Sequence, residues 1–189
     1  AQRDSGSYPI TTGANGSDLS QLVVCRNIFY DCEHTLLIKE HGSMLVQNNT
    51  VLRLTTNTTA RTAGGAQIPP GIINFGEPWR GVSGGDGAIF EGTIVWDLEA
   101  PPFNYFTNGT TFLTVAHSLI QGTNLPGTGN LSSDPLFVSG TNLTYLNIRS
   151  NLALLPGSPC LGTGPNGLDM GALVPGGASI SGEPASPTT

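Results

Sequence analysis

The stretch Leu45-Val46-Gln47-Asn48-Asn49-Thr50-Val51-Leu52-Arg53-Leu54 sets two asparagines inside a run of branched and apolar residues. Asparagine amides compete with a helix for its backbone, and asparagine is depleted in strands. A strand that must turn a corner at this point reconciles the mixture, and such a corner recurs if the chain winds. The phrase does recur. Val24-Cys25-Arg26-Asn27-Ile28-Phe29 stands 22 residues before Val46-Gln47-Asn48-Asn49-Thr50-Val51, and Ile68-Pro69-Pro70-Gly71-Ile72-Ile73 stands 22 after it. Phe90-Glu91-Gly92-Thr93-Ile94-Val95 follows after another 22, and Val115-Ala116-His117-Ser118-Leu119-Ile120 after 25. The first slot is always large and apolar. The fourth holds residues that tolerate a left-handed backbone or hydrogen-bond locally, as a tight corner requires. The third copy is the weakest, because Pro69 and Pro70 cannot donate to a sheet.

A period of about 22 residues, with short strand-like runs and no helical periodicity, marks a repeat architecture. The leucine-rich phrase is absent, and a propeller blade would need about twice the length. The spacing predicts an all-β chain wound as a single-stranded parallel β-solenoid, each coil about 4.8 Å from the next. Val24, Val46, Ile68, Phe90 and Val115 are then expected in one buried column. Asn27, Asn49, Gly71, Thr93 and Ser118 are expected as a corner ladder, with side chains bonding along the stack.

Composition agrees. The 189 residues fit one domain, and 26 glycines with 14 prolines imply many turns and little helix. Only 11% of residues are charged, with a net charge of −6, so the surface must consist largely of Ser, Thr, Asn and Gly. That is the habit of secreted and cell-surface β proteins. Seven Lys and Arg residues without a basic run argue against nucleic acid. No apolar stretch approaches the roughly 18 residues of a membrane span. The chain opens Ala1-Gln2 without a methionine or signal peptide, so a processed chain or a piece of a longer one is expected. Residues 1–20 read as a lead-in, 21–174 as the repeat domain, and 175–189 as a Pro/Ser/Thr-rich linker or tail. A polar excursion at 55–67, a Gly-rich loop at 76–87 with Trp79 and Arg80, and a protrusion at 98–111 with Phe103, Tyr105 and Phe106 interrupt the repeats.

From Gly122 the text changes. The phrases Asp134-Pro135-Leu136-Phe137-Val138, Leu155-Pro156-Gly157-Ser158-Pro159-Cys160-Leu161-Gly162 and Asp169-Met170-Gly171-Ala172 follow coils of the V-x-N-N-I-F kind. Together they resemble the closing segment of bacterial secreted proteins of the pectate-lyase-like class, over roughly residues 20–174. The resemblance implies a right-handed parallel β-helix with an irregular C-terminal segment. Such segments occur in large cell-surface proteins as well as in polysaccharide lyases, so it leaves the activity open.

Lyases of that class abstract a proton beside a uronic acid carboxylate, using acidic calcium ligands and an arginine base on neighbouring coils. Here Asp31, Glu91, Asp97 and Glu99 are the carboxylates, with Arg26, Arg53 and Arg80 as cations, and no two carboxylates take matching slots in successive coils. Glycoside hydrolysis needs a carboxylate pair about 5–9.5 Å apart. His117-Ser118 falls in corner slots without a third partner. Glu33-His34 and Glu40-His41 lack the HExxH spacing, and Gly84-Gly85-Asp86-Gly87-Ala88-Ile89 lacks the final aspartate of a calcium nonapeptide. No catalytic residue, metal ligand or cofactor is assigned.

Trp79, Arg80, Trp96, Phe103, Tyr105 and Phe106 remain as carbohydrate-binding candidates, because exposed aromatics stack on sugar rings. Cys25 and Cys32 share a coil and are candidates for a disulfide, while Cys160 reads as a buried thiol. Asn15, Asn48, Asn57, Asn108, Asn130 and Asn142 head Asn-x-Ser/Thr sequons and are candidate glycosylation sites. The expected function is a secreted or cell-surface structural or adhesive module. Its partners would be a polysaccharide or surface glycan and, through its unpaired first coil, further copies stacking head to tail into a filament. A polysaccharide lyase or glycoside hydrolase is the alternative.

Overall fold

A computed structural model of the chain describes residues 10–12, 19–32, 34–54, 62–63, 66–67, 71–76, 84–98, 102–105, 112–123 and 125–173. The protein is all-β, with strands in parallel sheets and almost no helix. In chain order the strands are β1 (Ile10–Thr11), β2 (Ser20–Cys25), β3 (Ile28–Cys32), β4 (His34–Ile38), β5 (Gly42–Gln47), β6 (Thr50–Leu54) and β7 (Thr62–Ala63). There follow β8 (Ala66–Gln67), β9 (Gly71–Phe75), β10 (Gly87–Glu91), β11 (Ile94–Leu98), β12 (Phe103–Tyr105), β13 (Phe112–Ala116) and β14 (Leu119–Ile120). A first sheet has the order β13-β10-β5-β2, a second β14-β11-β6-β3, and a third β1-β4-β9-β12. All pairings in these three sheets are parallel; among the described residues the short pair β7–β8 and the isolated bridge Phe137–Leu154 are antiparallel. The chain visits first, second and third sheet in turn, and each strand pairs with its counterpart from the neighbouring circuit.

Alternation explains which residues fill the interior. In β5, Gly42, Met44 and Val46 are buried while Ser43, Leu45 and Gln47 are partly exposed, the period-two pattern of a strand with one face on a core. Val24 pairs with Val46, Val46 with Phe90, and Phe90 with Val115, and all four are buried. Four of the five expected column members therefore stack. Ile68 is the exception: Val46 pairs directly with Phe90, so the first and second sheets bypass the third sequence copy. Ile68 itself lies outside the described residues. The rest of that copy enters the third sheet as β9, where Gly71 pairs with His34. Its two prolines, which offer no N–H to a sheet, lie outside the described residues.

Two corners carry left-handed backbone in register. Between first and second sheets, Arg26, Asn48, Gly92 and His117 have φ of 56°, 50°, 60° and 46°. Within β3, β6 and β11, Asp31, Arg53 and Asp97 have φ of 53°, 63° and 58°. The left-handed residue at the first corner is thus the third slot of the repeat, and the fourth supplies the side-chain hydrogen bonds. Side chains other than glycine lose about 1–2 kcal/mol in this conformation, so the corners need compensating bonds.

The main core joins inward residues of all three sheets, among them Val46, Val51, Ile73, Phe75, Phe90 and Val95. Residues 125–173 add no strand to the sheets. They fold over the outer face of the second sheet, where Ile94 and Leu119 pack with Cys160 and Met170. Beside them Leu52 packs with Leu143 and Leu152. The second sheet is therefore covered on both faces, which accounts for its nearly continuous apolar strands. Gly171 N–H donates to Gly92 O at 2.6 Å and Ala172 N–H to Thr50 Oγ1 at 2.9 Å, pinning the Asp169-Met170-Gly171-Ala172 phrase to the corner. Among the described residues no helix is long and apolar enough to cross a membrane.

Candidate functional site

The first corner has one hydrogen-bond scheme repeated along its length. Asn27 N–H donates to Asn49 Oδ1 at 3.0 Å, Asn49 N–H to Thr93 Oγ1 at 3.3 Å, and Thr93 N–H to Ser118 Oγ at 3.2 Å. Ser118 N–H then donates to Asn130 Oδ1 at 3.3 Å. The same side chains reach back: Asn49 Nδ2 donates to Val24 O at 2.7 Å, Thr93 Oγ1 to Val46 O at 3.3 Å, and Asn130 Nδ2 to Val115 O at 2.8 Å. Gly71 is not a member, since it lies in the third sheet. Asn130 takes the place at the far end, 12 residues after Ser118 where the other steps are 22, 44 and 25, and that irregular step hid it from the period. Ser118 is fully buried in this ladder and cannot serve as a nucleophile, while His117 Nδ1 lies 3.3 Å from Thr163 O.

The second corner stacks charge. Asp31, Arg53 and Asp97 occupy equivalent places between the registered pairs Tyr30–Leu52–Trp96 and Cys32–Leu54–Leu98. Arg53 Nε lies 3.7 Å from Asp31 Oδ1. A hydrogen bond to Tyr30, and then the Asp31 charge, hold the guanidinium above its ordinary pKa. Asp31 and Asp97 do share a slot, but with Arg53 between them rather than side by side. Glu91 Oε2 accepts from Gln47 Nε2 at 3.2 Å, across the first sheet. Among the described residues, no three or more His, Cys, Asp and Glu side chains group as metal ligands.

The aromatic candidates do not assemble into a described surface. Trp96 is half-buried under residues 125–173, packed among Leu52, Ile94 and Leu152. Phe103 packs into the core, edge-on to Phe90 with ring centroids 5.5 Å apart and planes at 84°. Tyr105 ends β12, and Trp79, Arg80 and Phe106 lie outside the described residues.

Cys25 and Cys32 are free thiols, not a disulfide. Alternation turns Cys25 outward from the first sheet, whereas Cys32 lies against the core beyond the corner, where burial and then the Asp31 charge raise its pKa. Cys160 is buried as expected, and burial pushes its thiol up to about 12. Two sequons are structural rather than exposed acceptors. Asn48 is buried and its Nδ2 donates to Asp169 O at 3.2 Å. Asn130 Nδ2 is engaged by Val115 O, Leu125 O and Pro126 O. Asn142 is exposed, and Asn15, Asn57 and Asn108 lie outside the described residues.

The first sheet offers a surface that the repeat reading passed over. Its outer face carries two registered rows, Gln21–Ser43–Gly87–Phe112 and Val23–Leu45–Ile89–Thr114. Val23, Ile89 and Phe112 are 67%, 47% and 72% exposed, where a half-buried strand would ordinarily place polar residues. A groove of about 500 Å³ crosses this face. Gly87, at φ 149°, lines it and lies close against β13, since a Cβ there would collide with the Phe112 carbonyl. Asp86 stands at its rim, 3.6 Å from His41 Nδ1. The signal in the sequence was apolar residues at both phases of the same short strands.

No family model matches the chain, and neither a curated protein nor a solved structure matches it.

Proposed function

We propose that the chain is a right-handed, single-stranded parallel β-solenoid that works outside the cell as a structural or adhesive module with affinity for glycan. The circuit of three parallel sheets supports the solenoid, and parallel crossovers are right-handed in about 98% of cases. The resemblance of the closing phrases to pectate-lyase-like β-helices points the same way.

The observation that carries the functional reading is how the polar side chains are used. The corner residues bond from one circuit to the next, Asp31 lies 3.7 Å from Arg53 Nε, and Glu91 accepts from Gln47. These groups hold the stack together, whereas a lyase or hydrolase needs carboxylates presented to substrate. The low charge of the chain supports an extracellular setting and lowers the electrostatic cost of stacking copies end to end.

Antibody labelling of intact, unpermeabilised source cells is expected to reveal the chain at the surface. Labelling that needs permeabilisation would overturn the localisation. Release of unsaturated or reducing sugars from polygalacturonate or neutral glycans by the purified chain would overturn the non-enzymatic role.

A further inference from the structure

We propose that the outer face of the first sheet is a binding groove for a neutral polysaccharide, which lies over Val23, Leu45 and Ile89 with a sugar ring against Phe112. The proposal rests on the glycan-binding module reading above and gives it a site that the loop aromatics did not.

The surface chemistry selects the ligand. Pyranose rings have apolar C–H faces and a polar hydroxyl edge. Here an aliphatic floor and an exposed aromatic ring meet the first need, while Gln21, Ser43 and Thr114 offer amide and hydroxyl partners for the second. The face is rigid, since β2, β5, β10 and β13 are paired in continuous register. Equivalent positions therefore repeat at the strand spacing of about 4.8 Å, which suits a ligand that is itself a repeat. Shape disfavours a second copy on the same patch. A two-fold contact would set one groove against another and leave a void, whereas a polymer strand fills a groove.

Charge narrows the class. The lining contains Asp86 and neither Lys nor Arg, and Glu91 stands in the next row of the sheet. An anionic uronate polymer would meet like charge without a cation to hold it, so the groove takes a neutral chain. This specificity is opposite to that of a uronate-cleaving enzyme.

Affinity gel electrophoresis of the whole chain with hydroxyethylcellulose, galactomannan, dextran and polygalacturonate tests it. At least one neutral polymer is expected to retard the protein, and polygalacturonate is not. Phe112→Ala should weaken that retardation about tenfold or more, Ile89→Asp should weaken it likewise, and Phe112→Trp should retain it. Both sites are exposed, so unchanged thermal unfolding of each variant shows that the fold is intact. Absence of retardation by every neutral polymer, stronger retardation by polygalacturonate, or indifference to both Phe112→Ala and Ile89→Asp overturns the groove. A failure here leaves the surface-module reading to the cell-labelling test. Cleavage of a polymer bound in a Phe112-dependent way would sustain the groove while removing the non-enzymatic role.

Discussion

Asn49 joins its circuit to that of Asn27 through both ends of one amide. Its Oδ1 accepts the Asn27 N–H at 3.0 Å, and its Nδ2 donates to Val24 O at 2.7 Å. Asn49 and Val24 are buried, so the Val24 carbonyl cannot turn to water instead. Asn49→Leu leaves the Asn27 N–H and the Val24 carbonyl without these partners and is expected to cost about 1–3 kcal/mol. Urea unfolding read by circular dichroism measures it. An unchanged midpoint would mean that the corner draws its stability from elsewhere.

Much of this corner was legible because its chemistry is local. Short polar side chains at a fixed interval between apolar strands have few other uses, and Asn27, Asn49, Thr93 and Ser118 stand where the period put them. The period failed where the chain left the stack. Pro69 and Pro70 signalled a break, yet the interval of 22 carried Ile68 and Gly71 into a column and ladder that continue instead through Phe90 and Thr93. Trp96 shows a different limit. Its outward position in β11 follows from alternation, but that residues 125–173 fold back over it depends on packing between segments far apart in sequence. Asn130 was missed for the converse reason, since a loop can complete a corner without completing a repeat.

The closing segment is fitted tightly against the second sheet. Gly171 has φ 92°, and a Cβ there would stand 2.9 Å from both Ile94 Cδ1 and Thr50 Oγ1. Gly171→Ala must therefore displace the segment or strain the corner, with an expected loss of about 1–3 kcal/mol. Gly157→Ala is the comparison, because it too has positive φ, 88°, but nothing within 4 Å. Thermal unfolding should rank Gly171→Ala clearly below Gly157→Ala. Equal midpoints would show that conformation alone, not the contact with Ile94 and Thr50, governs the site.

Cys160 couples the same segment to pH. Burial raises its pKa from 9.0 to about 12. The folded state therefore favours the protonated thiol, and that contribution is complete below the unfolded pKa. As pH rises above about 9 the unfolded chain loses the proton first, and stability falls until the folded thiol also ionises near 12. The alkaline decline should be shallower in Cys160→Ala once its lower starting stability is subtracted. At pH 8 a thiol reagent should label exposed Cys25 readily and Cys160 only on unfolding. Rapid labelling of Cys160 in the native protein would contradict its burial.

The proposed self-association turns on how the corner ladder ends. At one end Asn130 takes the Ser118 N–H, and Leu131 N–H closes on Ser118 O at 2.9 Å, so the last circuit is finished by the chain itself. At the other end Asn27 is exposed, with Nδ2 donating to Cys25 O and to Asn49 Oδ1. Among the described residues β2 and β3 are the outermost strands of their sheets there. An outermost strand is a template on which another chain can pair. A contact between one molecule's far end and this edge would be head to tail, would not close, and would give a filament. The expected outcome is a sedimentation coefficient that rises with protein concentration, with fibres visible by electron microscopy. Gln21→Lys places a charge on the edge strand and should suppress both without changing the unfolding midpoint. A monomer that persists at high concentration, without fibres, would remove self-association from the functional reading and leave glycan as the module's partner.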